Sequence, residues 1–511
     1  METDVLIVGA GPTGLMLANQ LARFGVDFQI IDPKSGPTRE SRAMSVSSRS
    51  MEVYQQLGLA DQILETSREI QGITMVHNGR TLAQVSLTDI GTEFSDFGRL
   101  TTTFEQNKNE TLLYQNLTSR GKKVLWNYSF EGYEELEEGV VTTVKSTHDE
   151  STHNITSQYV VGCDGARSPV RHQLNVGFEG GTYDNKFYVA DVQLKWEYGF
   201  DNVVMMPEKG VFVAFFPLQE KNAVRVIGTL PKEFADQDNI GFGDLQLKMK
   251  EVSKINFQIE SVNWFSVYRI HHRVVDAFSR GRIFLAGDAA HIHSPAGGQG
   301  MNTGLQDAHN LGWKLAYVLQ GQATPALLDT YNEERLPYAQ ALVNSTDKGF
   351  VFISGQQWWA RTLRSYVVLP LFSVAMKYRK PAVKVFQQLS QLFYSYSKRS
   401  LASQQTQQRL KFKAGDRLPY MGPGYLKQLT EPNFYLIRIS DRPLTHSQRQ
   451  TLEQALPMPT TFLEDPLTEA WKQKGVRSEL YLLVRPDQHL LYVGDHLDAA
   501  QLQKAFPYLT Q

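Results

Sequence analysis

The sequence predicts an α/β protein with an antiparallel β-sheet unit inserted into it and a separate unit at its C-terminal end. Three observations lead there. Residues 4–8 form a short apolar run that passes through Gly9-Ala10-Gly11-Pro12-Thr13-Gly14 into a helix-period segment at 15–24, the order of a strand, a glycine turn and a helix. From residue 174 to 270 the texture changes to strand-length runs rich in valine and aromatics, as an antiparallel sheet reads. After the linker-like KAGDRLPY of residues 413–420 the pattern restarts as strand, helix, hairpin and helix.

Bulk properties narrow the function. A chain of 511 residues holds two or three domains with enough apolar material for their cores. Its 52 lysines and arginines against 53 aspartates and glutamates give a formal net charge of −1, whereas nucleic-acid binders carry a basic excess. The single cysteine, Cys163, leaves no intramolecular disulfide framework and no cysteine cluster for a metal. The opening METDVLIVGAGP lacks a signal-peptide pattern and enters a strand directly, and no apolar run reaches the ~18 residues of a spanning helix. The expectation is a cytoplasmic monomer or homodimer with no metal, no membrane span and no nucleic-acid partner.

In the first motif, Gly9 permits a tight turn, Gly11 lets a pyrophosphate approach the backbone, and Gly14 allows the helix to pack close to the strand. Gly25 ends that helix, and a second strand at 27–31 delivers Asp32, where an acid takes a ribose hydroxyl. In this βαβ setting the motif marks a Rossmann-like unit, without separating FAD from NAD. Arg39, Arg42 and Arg49 follow, ahead of a helix-like SMEVYQQLGL. Arginines placed there neutralise phosphates, although a solvated surface is the plainer reading for Arg39.

Residues 60–104 read as a strand-rich excursion, 109–120 as a helix, and 124–127 and 140–144 as strands separated by an acidic, solvated turn at 132–138. At Tyr159-Val160-Val161-Gly162-Cys163-Asp164-Gly165 a strand again delivers a carboxylate. Cys163, with no histidine or second cysteine beside it, reads as a small buried hydrophobe. The β-rich unit should carry strands at 187–196, 203–206, 211–218 and 223–230. Its Phe212 and Phe215 are candidates for a pocket wall, and core packing explains them equally well.

Residues 281–302, GRIFLAGDAAHIHSPAGGQGMN, bring strand, acid and glycines together a third time. The apolar run 283–286 stops at Gly287-Asp288, and a loop with Pro295, Gly297, Gly298 and Gly300 feeds a helix starting near Met301. Such a helix end offers N–H groups and a positive dipole to an anionic edge, while Asp288 offers an acceptor for hydroxyls. FAD supplies both partners, in its N1–C2=O edge and its ribityl chain. An ordinary strand–loop–helix is the plain alternative for this stretch taken alone. Residues 345–400 are basic, apolar and helical in texture, and read as helices docked on their own protein rather than on a membrane surface.

Gly9, Gly11 and Gly14, then Gly162-Cys163-Asp164-Gly165-Ala166-Arg167-Ser168, then Gly287-Asp288-Ala289-Ala290-His291 closely resemble, in that order, the motifs of the single-component flavoprotein aromatic hydroxylases. This is the family of para-hydroxybenzoate hydroxylase and phenol hydroxylase. Arg42 within SRAMSVSSRSMEVYQQLGL and Gln106 ahead of Glu110-Thr111-Leu112 match further positions. The resemblance covers residues 1–345 with specific motifs. With the linker and the cysteine-free tail, the chain looks most like polyketide hydroxylases and rifampicin-type monooxygenases. The expected division is a discontinuous FAD-binding domain (1–174 and 271–400, with a helical extension at 345–400), a substrate-binding β-sheet domain (175–270), and a thioredoxin-like domain (413–511) without dithiol chemistry.

The resemblance implies that Gly9, Gly11 and Gly14 hold the pyrophosphate of a tightly bound, non-covalent FAD, and Asp32 its adenosine ribose. Arg42 and Gln106 would contact its diphosphate or ribityl region. Asp164 would belong to a signature shared between FAD and NADPH functions, and Asp288 would bind the ribityl or diphosphate chain. Pro295 and the backbone at Gly298, Gly300, Met301 and Asn302 would border the isoalloxazine. In the family, transiently bound NADPH or NADH reduces FAD, and O2 adds to give a C4a-hydroperoxyflavin. Its distal oxygen passes to a phenolic, quinonoid or polyketide-like ring. The flavin carries the chemistry while the protein positions substrate and excludes water, and no side chain stands out as catalytic. His293-Ser294-Pro295 departs from the double proline of para-hydroxybenzoate hydroxylase, so benzoate specificity is not inherited. Two alternatives stay open: a flavin-dependent reductase of the same fold, and a flavin-binding interaction protein.

Overall fold

The N-terminal strand Glu2–Val8 lies inside an eight-stranded sheet, flanked in parallel by Thr152–Gly162 and Phe28–Asp32. Ile283–Leu285 and Val124–Trp126 extend the parallel set on either side. Val5, Leu6 and Ile7 are all fully buried, as a strand covered on both faces requires. The helix Pro12–Arg23 starts with proline in its first turn, where a missing N–H costs nothing. It packs between the helices Gly300–Leu319 and Gln106–Ser119. A computed structural model describes residues 1–509 other than 40, 42, 87, 99–100, 209–210, 235–236, 238–239, 295–297, 355–370, 372–373, 376–377, 455 and 457. Arg42, Pro295, Gly297 and much of the expected helical extension therefore lie outside the described residues.

The expected turn at 132–138 is mostly strand. Tyr128–Glu135 and Val140–Ser146 pair as a hairpin whose second arm joins Thr152–Gly162, and the turn shrinks to the link from Leu136 N–H to Gly139 C=O (2.7 Å). Only Phe130 is buried in the first arm, so its glutamates sit on a solvated face, and composition hides the strand.

A second eight-stranded sheet carries the β-rich unit. Its order is His291–Ile292, Phe257–Val275, Phe178–Trp196, Ala223–Thr229, Val211–Pro217, Asn202–Glu208, Gly72–His77 and Arg80–Ser86. The sheet thus reaches beyond residues 175–270 at both ends: Gly72–His77 pairs in parallel with Asn202–Glu208, and His291–Ile292 pairs with Phe257–Val275. One face is covered by the helix Phe242–Ser253, whose Phe242, Leu245 and Met249 pack on Tyr188, Val213, Phe215 and Val226.

At the C-terminal end five strands run in the order Ser403–Gln405, Leu490–Gly494, Leu480–Val484, Phe434–Ile439 and Thr460–Asp465. The last two are parallel, and the other contacts among 434–494 are antiparallel. Thr460–Asp465 escapes a sequence reading because Phe462 is its one buried residue, and Ser403–Gln405 joins the sheet from before the expected linker.

This unit is joined to the rest through buried charge. The hairpin turn Arg485-Pro486-Asp487 is enclosed, and Arg485, Asp487, Glu334 and Lys314 are each 1 % exposed or less. Arg485 donates to both carboxylate oxygens of Glu334 and to Asp487 (3.0 Å from Nε), and Lys314 Nζ lies 2.8 Å from Glu334. Nearby, Arg49 pairs with Glu52 (2.9 Å) and donates to Gln488 (3.0 Å). Burial alone would push the Glu334 carboxyl up, but Arg485 and Lys314 outweigh it and hold it at about 2. A carboxylate held below its ordinary value of about 4.3 contributes stability that is full above that value and is lost as pH falls towards the folded one. The thermal midpoint should accordingly drop between about pH 4.3 and pH 2; a flat profile across that window would count against a charged Glu334.

Candidate active site

Three glycine turns converge at the C-terminal ends of the parallel strands. A side chain at Gly9, whose φ is 106°, would strike the Cys163 carbonyl oxygen at 2.4 Å and the Asp164 Cα at 2.9 Å. One at Gly14 would strike the Gly9 carbonyl oxygen at 1.9 Å. Gly287 and Gly304 both close on Thr13 of the first motif, at 2.5 and 2.3 Å from its Oγ1. Gly11 differs: nothing lies within 4 Å of a Cβ placed there. Two glycines of the first motif are thus required by protein packing and one faces open space, as a backbone left clear for a diphosphate would.

The expected site residues fall around this junction. Asp32 ends its strand and accepts from Ala10 N–H (2.7 Å) and Lys34 N–H (2.8 Å). Gln106 accepts from Ala43 N–H (3.4 Å) and donates to Glu110 (3.0 Å), tying down the segment that carries Arg42. Asp164 accepts from Val170 N–H (3.1 Å), while its buried Oδ1 has no hydrogen-bond partner among the described residues. Burial raises its pKa, with Ser168 opposing. Asp288 sits exposed on a single 3-10 turn, Gly287–Ala289, after the strand Ile283–Leu285. Cys163 is buried, and burial raises its thiol pKa, as expected of an inert hydrophobe.

The helix Gly300–Leu319 has no side-chain cap at its N-terminus, so the first-turn N–H groups of Gly300, Met301 and Asn302 have no partner within the helix. Asn302 does a separate task with its side chain. It accepts from Ser47 N–H (2.8 Å) and donates to the carbonyls of Ser45 and Gly298 (2.8 Å each), pinning the glycine loop to residues 45–47. Beside the loop, His293 donates from Nδ1 to the Ser294 carbonyl (2.8 Å), and its Nε2 is buried without a partner among the described residues. Burial lowers its pKa to about 4, which leaves a neutral imidazole although part of the residue remains accessible.

Sequence reasoning missed the residue that ties the Gly287 turn to this helix. Asp307, buried about two turns into the helix, accepts from Gly287 N–H (3.0 Å), pairs with His291 (2.7 Å) and takes Arg335 Nε at 2.7 Å. Burial would push its carboxyl up, but Arg335 and His291 outweigh that and hold it below the ordinary range. Its i, i+4 neighbours show a helix face and nothing of partners 16 to 28 residues away.

The second sheet has a further face, opposite the one its helix covers. Phe212 and Phe215, three residues apart on one strand, necessarily point to opposite faces. Phe215 is packed under the covering helix against Trp196 and Phe257, with ring centroids at 4.9 and 6.1 Å, so it is core and not a pocket wall. The face turned towards the dinucleotide unit is marked by Met44, which packs with Val189 and Ile227 and against Phe216, Trp264 and Tyr268. Met44 adjoins Ser45, whose Oγ donates to the Gly298 carbonyl (3.0 Å). Sheet face and glycine loop therefore share one short segment.

Open space over Gly11, an uncapped helix end, an unpartnered buried carboxylate oxygen at Asp164 and an exposed carboxylate at Asp288 fit the diphosphate, flavin edge and hydroxyls of FAD. The comparisons agree. The family model described as FAD binding domain matches residues 2–346. The 6-methylpretetramide 4-monooxygenase of Streptomyces rimosus is 30 % identical over 470 residues, covering 90 % of this chain and 78 % of that protein. The pentachlorophenol 4-monooxygenase of Sphingobium chlorophenolicum is 33 % identical over 360 residues, covering 69 % of this chain and 65 % of that protein. Among solved structures, the flavin-dependent monooxygenase PieE in complex with FAD and substrate superposes with a TM-score of 0.80 at 21 % identity, over 99 % of this chain and 98 % of that one; at that identity the likeness speaks for the fold.

Proposed function

The chain belongs to the FAD-binding-domain family of aromatic monooxygenases, and from that membership we propose that it uses NAD(P)H and O2 to hydroxylate a phenolic, quinonoid or polyketide-like ring. The observation that carries the proposal is the junction itself: three glycine turns and an uncapped helix end lie beside a sheet face that carries Phe216, Trp264 and Tyr268 and against which Met44 packs.

Bound FAD would supply the redox chemistry, taking reducing equivalents from NAD(P)H and activating O2. The chain's own residues bind, orient and enclose. Gly9 and Gly14 shape the first turn and Gly11 leaves room for the diphosphate. Asp32 would accept from the adenosine ribose, and Asp164 and Asp288 from hydroxyls or the diphosphate region. The first-turn N–H groups at Gly300, Met301 and Asn302 would stabilise negative charge on the flavin edge. Asn302 and Asp307 hold that end in register with residues 45–47 and with Gly287.

The domain assignment belongs to the same reading. We take residues 1–174 and 271–400 as FAD-binding, except that strands Gly72–His77 and Arg80–Ser86 serve the substrate sheet centred on 175–270. The C-terminal unit is read as thioredoxin-like, supported by its order of one parallel pair followed by an antiparallel hairpin. Among the described residues no helix is long and apolar enough to cross a membrane.

Oxygen uptake tests the function. The purified yellow protein should consume O2 and NAD(P)H on addition of a phenol, naphthoquinone or aromatic antibiotic and yield a product heavier by one oxygen. NAD(P)H oxidation that no aromatic accelerates would favour a plain flavin reductase. With one G-x-G-x-x-G unit in the sequence, NAD(P)H should visit a shared cleft, and substrate should speed flavin reduction. Gly298 sits at φ 63°, and a Cβ there would meet Ser45 Oγ at 2.1 Å. Strain of this kind costs about 1–3 kcal/mol, so Gly298→Val should slow stopped-flow flavin reduction by about tenfold. A variant reduced as fast as the parent would disconnect the loop from that step.

A further inference from the structure

The face above the candidate flavin site carries one charged pair. Across the strand segments 187–191, 212–216, 225–229 and 264–268 the charged residues are Asp191 and Arg225. They are opposite each other in the sheet, with Phe216 opposite Arg225 and Trp264 opposite Asp191, so the four form one cross-strand row on one face. Arg225 binds Asp191 through two parallel contacts, Nε to Oδ1 and Nη2 to Oδ2, each 2.7 Å. Its remaining nitrogen lies 3.5 Å from both Ser41 Oγ and the Ala43 carbonyl, and the guanidinium is 5.8 Å from the Trp264 ring centroid. The two partners differ in access: the Arg225 side chain is 1 % exposed and that of Asp191 is 20 %.

Here the cation is closed off and the carboxylate keeps an accessible edge among apolar and aromatic neighbours. Among the described residues of these segments, a ligand on this face meets a charged acceptor and no unpaired cation. A carboxylate-bearing aromatic would be desolvated beside a second carboxylate, with the one cation of these segments already paired to it. A hydroxyl would find a charged acceptor, the stronger kind of hydrogen bond.

We propose that Asp191 is a specificity-determining residue: its carboxylate, oriented by Arg225, accepts a hydrogen bond from a hydroxyl of an uncharged aromatic substrate and turns away aromatic carboxylates. The proposal rests on the monooxygenase reading and names the substrate class for it, neutral hydroxylated aromatics.

The test compares 2,3-dihydroxynaphthalene with 3-hydroxy-2-naphthoate, which share a ring system and differ in one hydroxyl against one carboxylate. Both are titrated into FAD-loaded protein by calorimetry and by flavin difference spectra. The parent should bind the diol at least tenfold more tightly, Asp191→Asn should lower that ratio at least tenfold, and Asp191→Glu should restore most of it. If Asp191→Asn loses its flavin or its thermal midpoint collapses, Asp191→Asn/Arg225→Gln, which leaves no unpaired charge, should lose the discrimination instead. A parent that binds the carboxylate as well as the diol, fails to bind the diol, or keeps its ratio in the variants overturns the assignment. A protein that takes up no FAD overturns the monooxygenase reading instead, so the two failures are told apart.

Discussion

Arg485→Ala should destabilise the protein by about 3–5 kcal/mol, the range for removing one partner from a buried ion pair. Arg485 and Lys314 balance Glu334 and Asp487 in a cluster closed to solvent. Deleting the guanidinium leaves two carboxylates facing one ammonium, and Asn310, which donates to both acids (2.7 and 3.4 Å), carries no charge to replace it. Arg485 also lies 5.2 Å from the Trp313 ring centroid and 5.3 Å from that of Tyr396, so its loss opens space between aromatic rings. The measurement is chemical denaturation at neutral pH, with flavin content recorded beside it. A loss below about 1 kcal/mol, the usual worth of an exposed pair, would mean that the cluster is hydrated and does not join the two units. The same cluster predicts what removing residues 413–511 would do. Glu334, Arg49 and Glu52 would lose the partners they have in that segment, and insolubility should precede any specific loss of chemistry.

Gly11→Val should give a folded protein that holds no FAD. Gly11 has φ −80° and ψ −174°, an extended geometry that a β-branched residue adopts without strain, and its Cβ direction is empty. The substitution therefore spares the fold and fills the space a diphosphate needs. Gly14→Val is the contrast, because its Cβ would stand 1.9 Å from the Gly9 carbonyl oxygen and helix and strand would have to separate. Purified Gly11→Val should be colourless, with a thermal midpoint equal to that of flavin-stripped parent protein, whereas Gly14→Val should be recovered poorly or not at all. A yellow Gly11→Val protein with normal flavin content would move the diphosphate away from this turn.

How far the sequence reaches follows from the range of the interactions concerned. The glycine turns, the strand-end acids Asp32 and Asp164, and the helix from Gly300 were readable because a turn or a helix start is made by contiguous residues whose backbone chemistry is local. The Phe434–Ile439 strand and the final hairpin were readable for the same reason: each is a short apolar run with its turn beside it. The strands at 128–135 and 460–465 were not, since edge positions bury few side chains and their composition looks solvated. Period two alone separates Phe212 from Phe215. Which face the covering helix takes depends on packing between elements far apart in the chain, and that decided that Phe215 is core while Met44, Trp264 and Tyr268 face the site. The long-range polar contacts depended wholly on tertiary structure. Arg49 and Gln488 are 439 residues apart, Arg485 and Glu334 are 151, and Arg225 and Asp191 are 34. A long side chain's partner is chosen by whatever the folded chain brings within about 3 Å of it, in surroundings where an unpaired charge is too costly to keep.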